Sequence, residues 1–286
     1  MRIPDKKTQG RPSAPSRAQA SAGSRPVAAA RSTSVSAARA DGFGARATSF
    51  PQKFAGPTGT PPDPKLLKKL IDPFINALLA GTLKTKVSQL TPAQQQLLQG
   101  VFGKDVDFSN VRLVKMPPDL EKALMVLTGG PARAFTVGEM IILPAAEYAK
   151  VTSGQNNALL VHEAAHVLQY RQTGVNVAIE SLTGQGEHGA GFYDWGPTLA
   201  NGGRWSDLNV ESRAHLIDEA YSGGFFDDPK NRFYVSADGK SHVVVGPGES
   251  PPDGYVDVTR EVRNGVRDLR GEPPLPEPRD LPPAVV

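Results

Sequence analysis

Residues 156–174 read NNALLVHEAAHVLQYRQTG, and the reading of this stretch decides the fold. His162 and His166 stand four residues apart, with Glu163 directly after the first. On a helix, positions i and i+4 lie one turn apart on one face, so both imidazoles can meet one ion at ~2.0–2.1 Å. Glu163 lies beside that face, close enough to contact a water on the metal rather than the metal. Zinc with three protein ligands lowers the pKa of its water towards ~7, and a glutamate so placed can take the proton as that water attacks a carbonyl. Leu160, Ala164, Val167 and Leu168 give the helix a separate apolar face for a core, and the small pair Ala164-Ala165 lets another element pack closely.

The third ligand must come from elsewhere. One zincin class uses H-E-x-x-H-x-x-G-x-x-H, but its last position is Gln172 here, so that class does not apply. Glu211 is the leading candidate, at the start of a second helix, NVESRAHLIDEAY (209–221). His215 and Asp218 follow along roughly the same face and could orient the ligating histidines. His188, in GEHGAGFYDW (186–195), is the rival ligand. For a donor to the developing oxyanion, Tyr193 comes first among Tyr193, His188, Arg204 and Tyr221.

The rest of the chain fits a folded centre with unfolded ends. Hydrophobic residues make up 39 % of 286, while Gly and Pro number 29 and 26. With no cysteine, a disulfide scaffold and a thiolate site are excluded, and any metal is held by His, Asp or Glu. No apolar run approaches the ~20 residues of a membrane span, and the N-terminus has no hydrophobic signal core. The expectation is a protein made in the cytoplasm and exported or injected without a leader. Residues 1–54 carry ten Lys/Arg against Asp5 and Asp41, whereas the remainder carries 22 basic and 27 acidic residues. The basicity belongs to the tail. With no aromatic before Phe43 to interleave its arginines for stacking, a delivery tail or linker fits this tail better than a nucleic-acid arm.

Four segments follow. Residues 1–62 are a basic Arg/Ala/Ser/Pro tail predicted to be disordered. Residues 63–225 form the main α+β domain. Residues 226–270 are a small addition with a hairpin at Asp238-Gly239, and 271–286 form a proline-rich tail. In the main domain a helix starts at Asp63-Pro64 and is predicted to kink or break at Pro73. A second begins at Thr91-Pro92. The chain is extended near 111–114, helical from Pro118 to Leu127, and forms two short strands, 134–136 and 140–143, joined at Gly138.

Three blocks in order, FGKDVDFSNVRLVK (102–115), GGPARAFTVGEMIILPAAEY (129–148) and ALLVHEAAHVLQY (158–170), resemble the metallopeptidase domain found with extracellular contractile injection systems. The resemblance covers about 102–174. It implies a zincin fold with His162 and His166 as zinc ligands and Glu163 as base. The downstream Glu211-x-x-Ala214 helix is similar to the gluzincin arrangement. Three positions depart from the pattern: Leu113-Val114-Lys115 lacks the family's histidine, Tyr170 replaces a glutamine, and His215 stands where many gluzincins place an aspartate. The resulting expectation is a zinc metallopeptidase acting on a protein or peptide, a toxin or effector that meets injection-system components through its N-terminal tail. The alternative is a zinc-stabilised loading or structural module without turnover.

Overall fold

The computed structural model describes residues 48–49, 63–174 and 193–276. The chain divides into two units, Met1–Phe43 and Gly44–Val286; the first lies wholly outside the described residues. The rest of the tail 1–62, except 48–49, and residues 277–286 of the proline-rich end lie outside them too. The fold is α+β, with eight α-helices and two four-stranded sheets among the described residues. No helix among these residues is long and apolar enough to cross a membrane.

Helix α1 (Pro64–Leu79) begins where the Asp63 carboxylate accepts the Lys65 N–H. It runs through Pro73 instead of breaking there. The lost bond costs about 3 kcal/mol, and burial of Ile71, Phe74 and Ile75 on both sides of the proline offsets it. Helix α2 (Pro92–Phe102) starts with a capping box between Thr91 and Gln94. Helix α3 (Pro118–Thr128) ends on Gly129, whose φ of 66° suits glycine.

One sheet has the order β2-β3-β5-β4, with β2 (Val87–Gln89), β3 (Arg112–Lys115), β4 (Phe135–Val137) and β5 (Met140–Leu143). Strand β3 runs parallel to β5, and the other two pairs are antiparallel. Gly138, at φ 59°, makes the β4–β5 turn. Strand period then decides what each face meets. Val114, Phe135, Val137 and Ile142 pack with α1 and α3 on one side. Leu113, Ile141 and Leu143 pack on the other, with α4 (Ala145–Thr152) and α5 (Asn157–Thr173). Thr136, between two residues of the first set, faces α5.

Helix α5 carries the histidine motif. The expectation of one apolar face is too narrow, because Leu160, Val161, Ala164, Ala165, Val167 and Leu168 are buried all round it. The reason is position. It packs on the sheet, on α2 and α4, and on α7 (Val210–Ser222) and α8 (Thr259–Leu269). Before α7 come α6 (Gly196–Ala200) and a 3-10 turn at Trp205–Asp207. Asn209 caps α7, its side chain accepting the N–H groups of Glu211 and Ser212.

The second sheet has the order β1-β7-β6-β8, with β1 (Thr48–Ser49), β6 (Arg232–Ser236), β7 (Ser241–Val245) and β8 (Tyr255–Asp257). The β6–β7 hairpin turns at Asp238-Gly239 as the sequence predicts. Phe233, Val235, Val262 and Leu269 join the same apolar core as α5 and α7. Helix α8 was not legible in TREVRNGVRDL because charges dominate it. Its Gly265 is required by packing: a Cβ there would sit 2.5 Å from the Trp205 ring.

Candidate metal centre

Two helices and an edge strand build the site. Helix α5 presents His162 and His166 one turn apart, and α7 crosses against it with Glu211 in its first turn. His162 Nε2 and His166 Nε2 are 3.2 Å apart. Glu211 Oε2 lies 3.3 Å from the first and Oε1 3.1 Å from the second. Two ligands of a tetrahedral ion at ~2.0–2.1 Å stand about 3.3 Å apart, and the two nitrogens and the carboxylate edge facing them have spacings of that order. Two imidazoles and a carboxylate, with no thiolate, are a donor set zinc accepts. The residues present fit the ion.

Around this group, each ring's other nitrogen is engaged. His162 Nδ1 is 2.7 Å from Asp218 Oδ2, and His166 Nδ1 is 2.7 Å from Gln169 Oε1. A carboxylate or amide oxygen only accepts, so both Nδ1 atoms carry the proton and both Nε2 atoms face the centre. Gln169 is fixed in turn, its amide donating to Val210 O at the start of α7. His162, His215 and Asp218 form a second close group of possible ligands. The 2.7 Å contact within it is too short for two ligands of one ion and reads as a hydrogen bond.

Electrostatics follow from burial. Burial alone would lower the His162 ring, but hydrogen bonds to Asp218 and Glu211 outweigh it and hold the ring well above its usual value. Burial would raise Glu211, yet His166 and His162 pull it well below the carboxylate range. Glu163 is different. Burial lifts its carboxyl group, and the two histidines offset this only in part. Thr136 Oγ1 donates to Glu163 Oε2 at 2.7 Å. One glutamate is held as an anion beside the two imidazoles; burial pushes the other towards its protonated form.

Tyr193 stands at the rim, its ring 6.4 Å from that of His162 and 6.0 Å from that of His215. Arg133 Nη1 donates to its hydroxyl at 3.1 Å. Burial and the nearby Glu211 hold the phenol well above 10, so it keeps its proton. Arg204 is exposed, its backbone N–H bonded to Asp207, and Tyr221 packs against the core. His188 lies outside the described residues. The sequence-predicted His162, Glu163, His166, Glu211, Asp218, His215 and Tyr193 therefore gather in one place.

Gln169, Thr136 and Arg133 were missed. Gln169 had a signal, three residues after His166 on the same helix face. So did Thr136, a polar residue between buried strand neighbours.

Residues 89–174 match the family model described as the eCIS core domain. This associates the chain with extracellular contractile injection systems. The matched segment runs from β2 to the end of α5, so it includes His162, Glu163 and His166 but not Glu211. No curated protein and no solved structure matches the chain.

Proposed function

We propose that the chain is a zinc metallopeptidase with a zincin-like domain, a toxin or effector carried by a contractile injection system. The observation that carries this reading is the grouping of His162 Nε2, His166 Nε2 and the two Glu211 carboxylate oxygens at 3.1–3.3 Å, with Glu163 beside it. Those three side chains would hold zinc, which when bound supplies Lewis acidity towards a peptide carbonyl. Glu163 takes the proton of the attacking water and returns it to the leaving amine, a role its raised carboxyl pKa suits. Thr136 keeps that carboxylate turned to the centre. Tyr193 keeps its O–H and donates to the developing oxyanion, with Arg133 fixing the phenol. The substrate is a protein or peptide. The basic N-terminal tail engages the injection apparatus.

Glu163→Gln tests this in the zinc-loaded protein. The variant should keep one zinc and lose peptide hydrolysis by about 10²–10⁴-fold, the worth of a positioned base. The match to a core domain favours one second reading, a loading or structural module whose zinc holds it together without turnover. In that case the parent cleaves no peptide and Glu163→Gln changes nothing.

A further inference from the structure

Glu219 lies one residue past Asp218 on α7 and is buried. Three parts of the chain converge on its carboxyl group. Trp195 Nε1–H donates to Oε2 at 2.9 Å, ahead of α6. His242 Nδ1, on β7, lies 3.4 Å from the same oxygen. His215 Nε2, one helical turn earlier, lies 3.3 Å from Oε1. The other His215 nitrogen, Nδ1, is 3.2 Å from Asp218 Oδ2, the oxygen that receives His162 Nδ1. A buried polar line thus runs from His162 through Asp218 and His215 to Glu219, and ends at the second sheet.

We infer that Glu219 is a positioning residue for His162, acting through His215 and Asp218; this rests on the metal-centre reading above. An ionised carboxylate offers only acceptors, so Asp218 Oδ2 needs an N–H from both rings that approach it. A neutral imidazole has one ring proton. If that of His215 sat on Nε2, its Nδ1 lone pair would face Asp218 and push the carboxylate from the place where it holds His162. Glu219 prevents this in either of its charge states. Ionised, it takes the Nε2–H and His215 keeps both protons. Protonated, it donates its O–H to Nε2, and the ring proton stays on Nδ1. In both states Nδ1–H points at Asp218. Burial raises Glu219 to about 7, so both states are populated near neutral pH. An amide in its place can donate to Nε2 as the protonated acid does. An alkyl side chain can do neither.

The test uses the full chain, Zn2+ as the probe, competition with a chromophoric chelator, and the NMR signal of the His162 Nδ1–H in the zinc-loaded protein. The parent should bind one zinc and show a slowly exchanging Nδ1–H. Glu219→Leu should lose that signal to exchange and bind zinc about tenfold more weakly, the lower end of the effect of outer hydrogen-bond partners. Glu219→Met carries the same expectation if Glu219→Leu does not fold. Glu219→Gln should keep both readouts near the parent. Trp195→Phe removes another bond to Glu219 without touching His215. It should lower the melting temperature and leave the His162 signal and zinc affinity alone, which separates positioning from scaffolding. The inference is overturned if the apolar variants keep the parent's signal and affinity, if Glu219→Gln fares as badly as they do, or if Trp195→Phe disturbs both readouts equally. A parent that binds no zinc removes the metal-centre reading itself, and this inference with it.

Discussion

The two sheets reach the same site in different ways. The β2-β3-β5-β4 sheet touches it directly, through one hydroxyl on its edge strand: Thr136 donates to the carboxylate of Glu163. The β1-β7-β6-β8 sheet stands further back. Its His242 meets Glu219, and from there His215 and Asp218 lead to His162. The first sheet lies almost wholly inside the family match, whose start falls on the last residue of β2; the second lies outside it. Each sheet turns one polar residue inward among apolar neighbours. On the proposed function, the first sheet would bear on the base and the second on the orientation of a ligand.

Removing a ligand should give the largest effect and would break the comparison at its root. His166→Ala and Glu211→Ala should each reduce zinc from one per chain to none at micromolar metal, with a melting temperature lower by several degrees. Metal analysis and a thermal scan check this. If Glu211→Ala keeps its zinc, α7 is not part of the centre and the second sheet has nothing to support.

The next effect sharpens the orientation side. Asp218→Asn and Gln169→Ala should each weaken zinc binding by about 10–100-fold without emptying the site at saturating metal. Chelator competition measures both. Equal affinity to the parent would leave the ring orientation set by helix packing alone.

Thr136→Val tests the other sheet. The Thr136 bond lowers the Glu163 carboxyl pKa, so its loss should raise that pKa further. Zinc content should not change. The acid limb of the pH–rate profile for peptide hydrolysis should move to higher pH, and an unmoved limb would detach the edge strand from the chemistry.

A smaller effect concerns stability against pH in the zinc-free protein. Glu219 rises from 4.5 to about 7 on folding, chiefly by burial, so its contribution is full below 4.5 and lost as pH rises through about 7. His242 falls from 6.5 to about 4, also by burial, so its contribution is present above 6.5 and lost as pH falls through about 4. The two slopes oppose between 4.5 and 6.5. Glu219→Gln keeps only the second. Its melting temperature should rise with pH across that window while the parent's stays flatter; parallel curves would refute the assignment.

The smallest effect is expected at the N-terminus. A chain starting at Gly56 lacks β1, which pairs only Thr48 and Ser49 with β7. It should bind one zinc and melt within a few degrees of the full chain. A larger drop would make β1 a main support of the second sheet. A large rise in peptidase activity would instead make it an inhibitory segment.

The sequence by itself determined the elements that carry local signals. The H-E-x-x-H spacing placed two imidazoles on one helical face, and Asp63-Pro64, Thr91-Pro92 and Asp238-Gly239 marked two starts and a turn. These readings depend on neighbours within a few residues, where backbone geometry is enough. Only the tertiary structure decided the rest. It ran α1 through Pro73, because burial on both sides outweighs one missing hydrogen bond. It made α5 buried all round, because two layers and a second helix pair enclose it. It brought Glu211 against the histidines, and tied Thr136 to Glu163 and Glu219 to His215. Such pairings join residues far apart in the chain, and no local spacing encodes the distance between two helices or the face a strand turns to a helix. That geometry exists once the apolar core has closed around it.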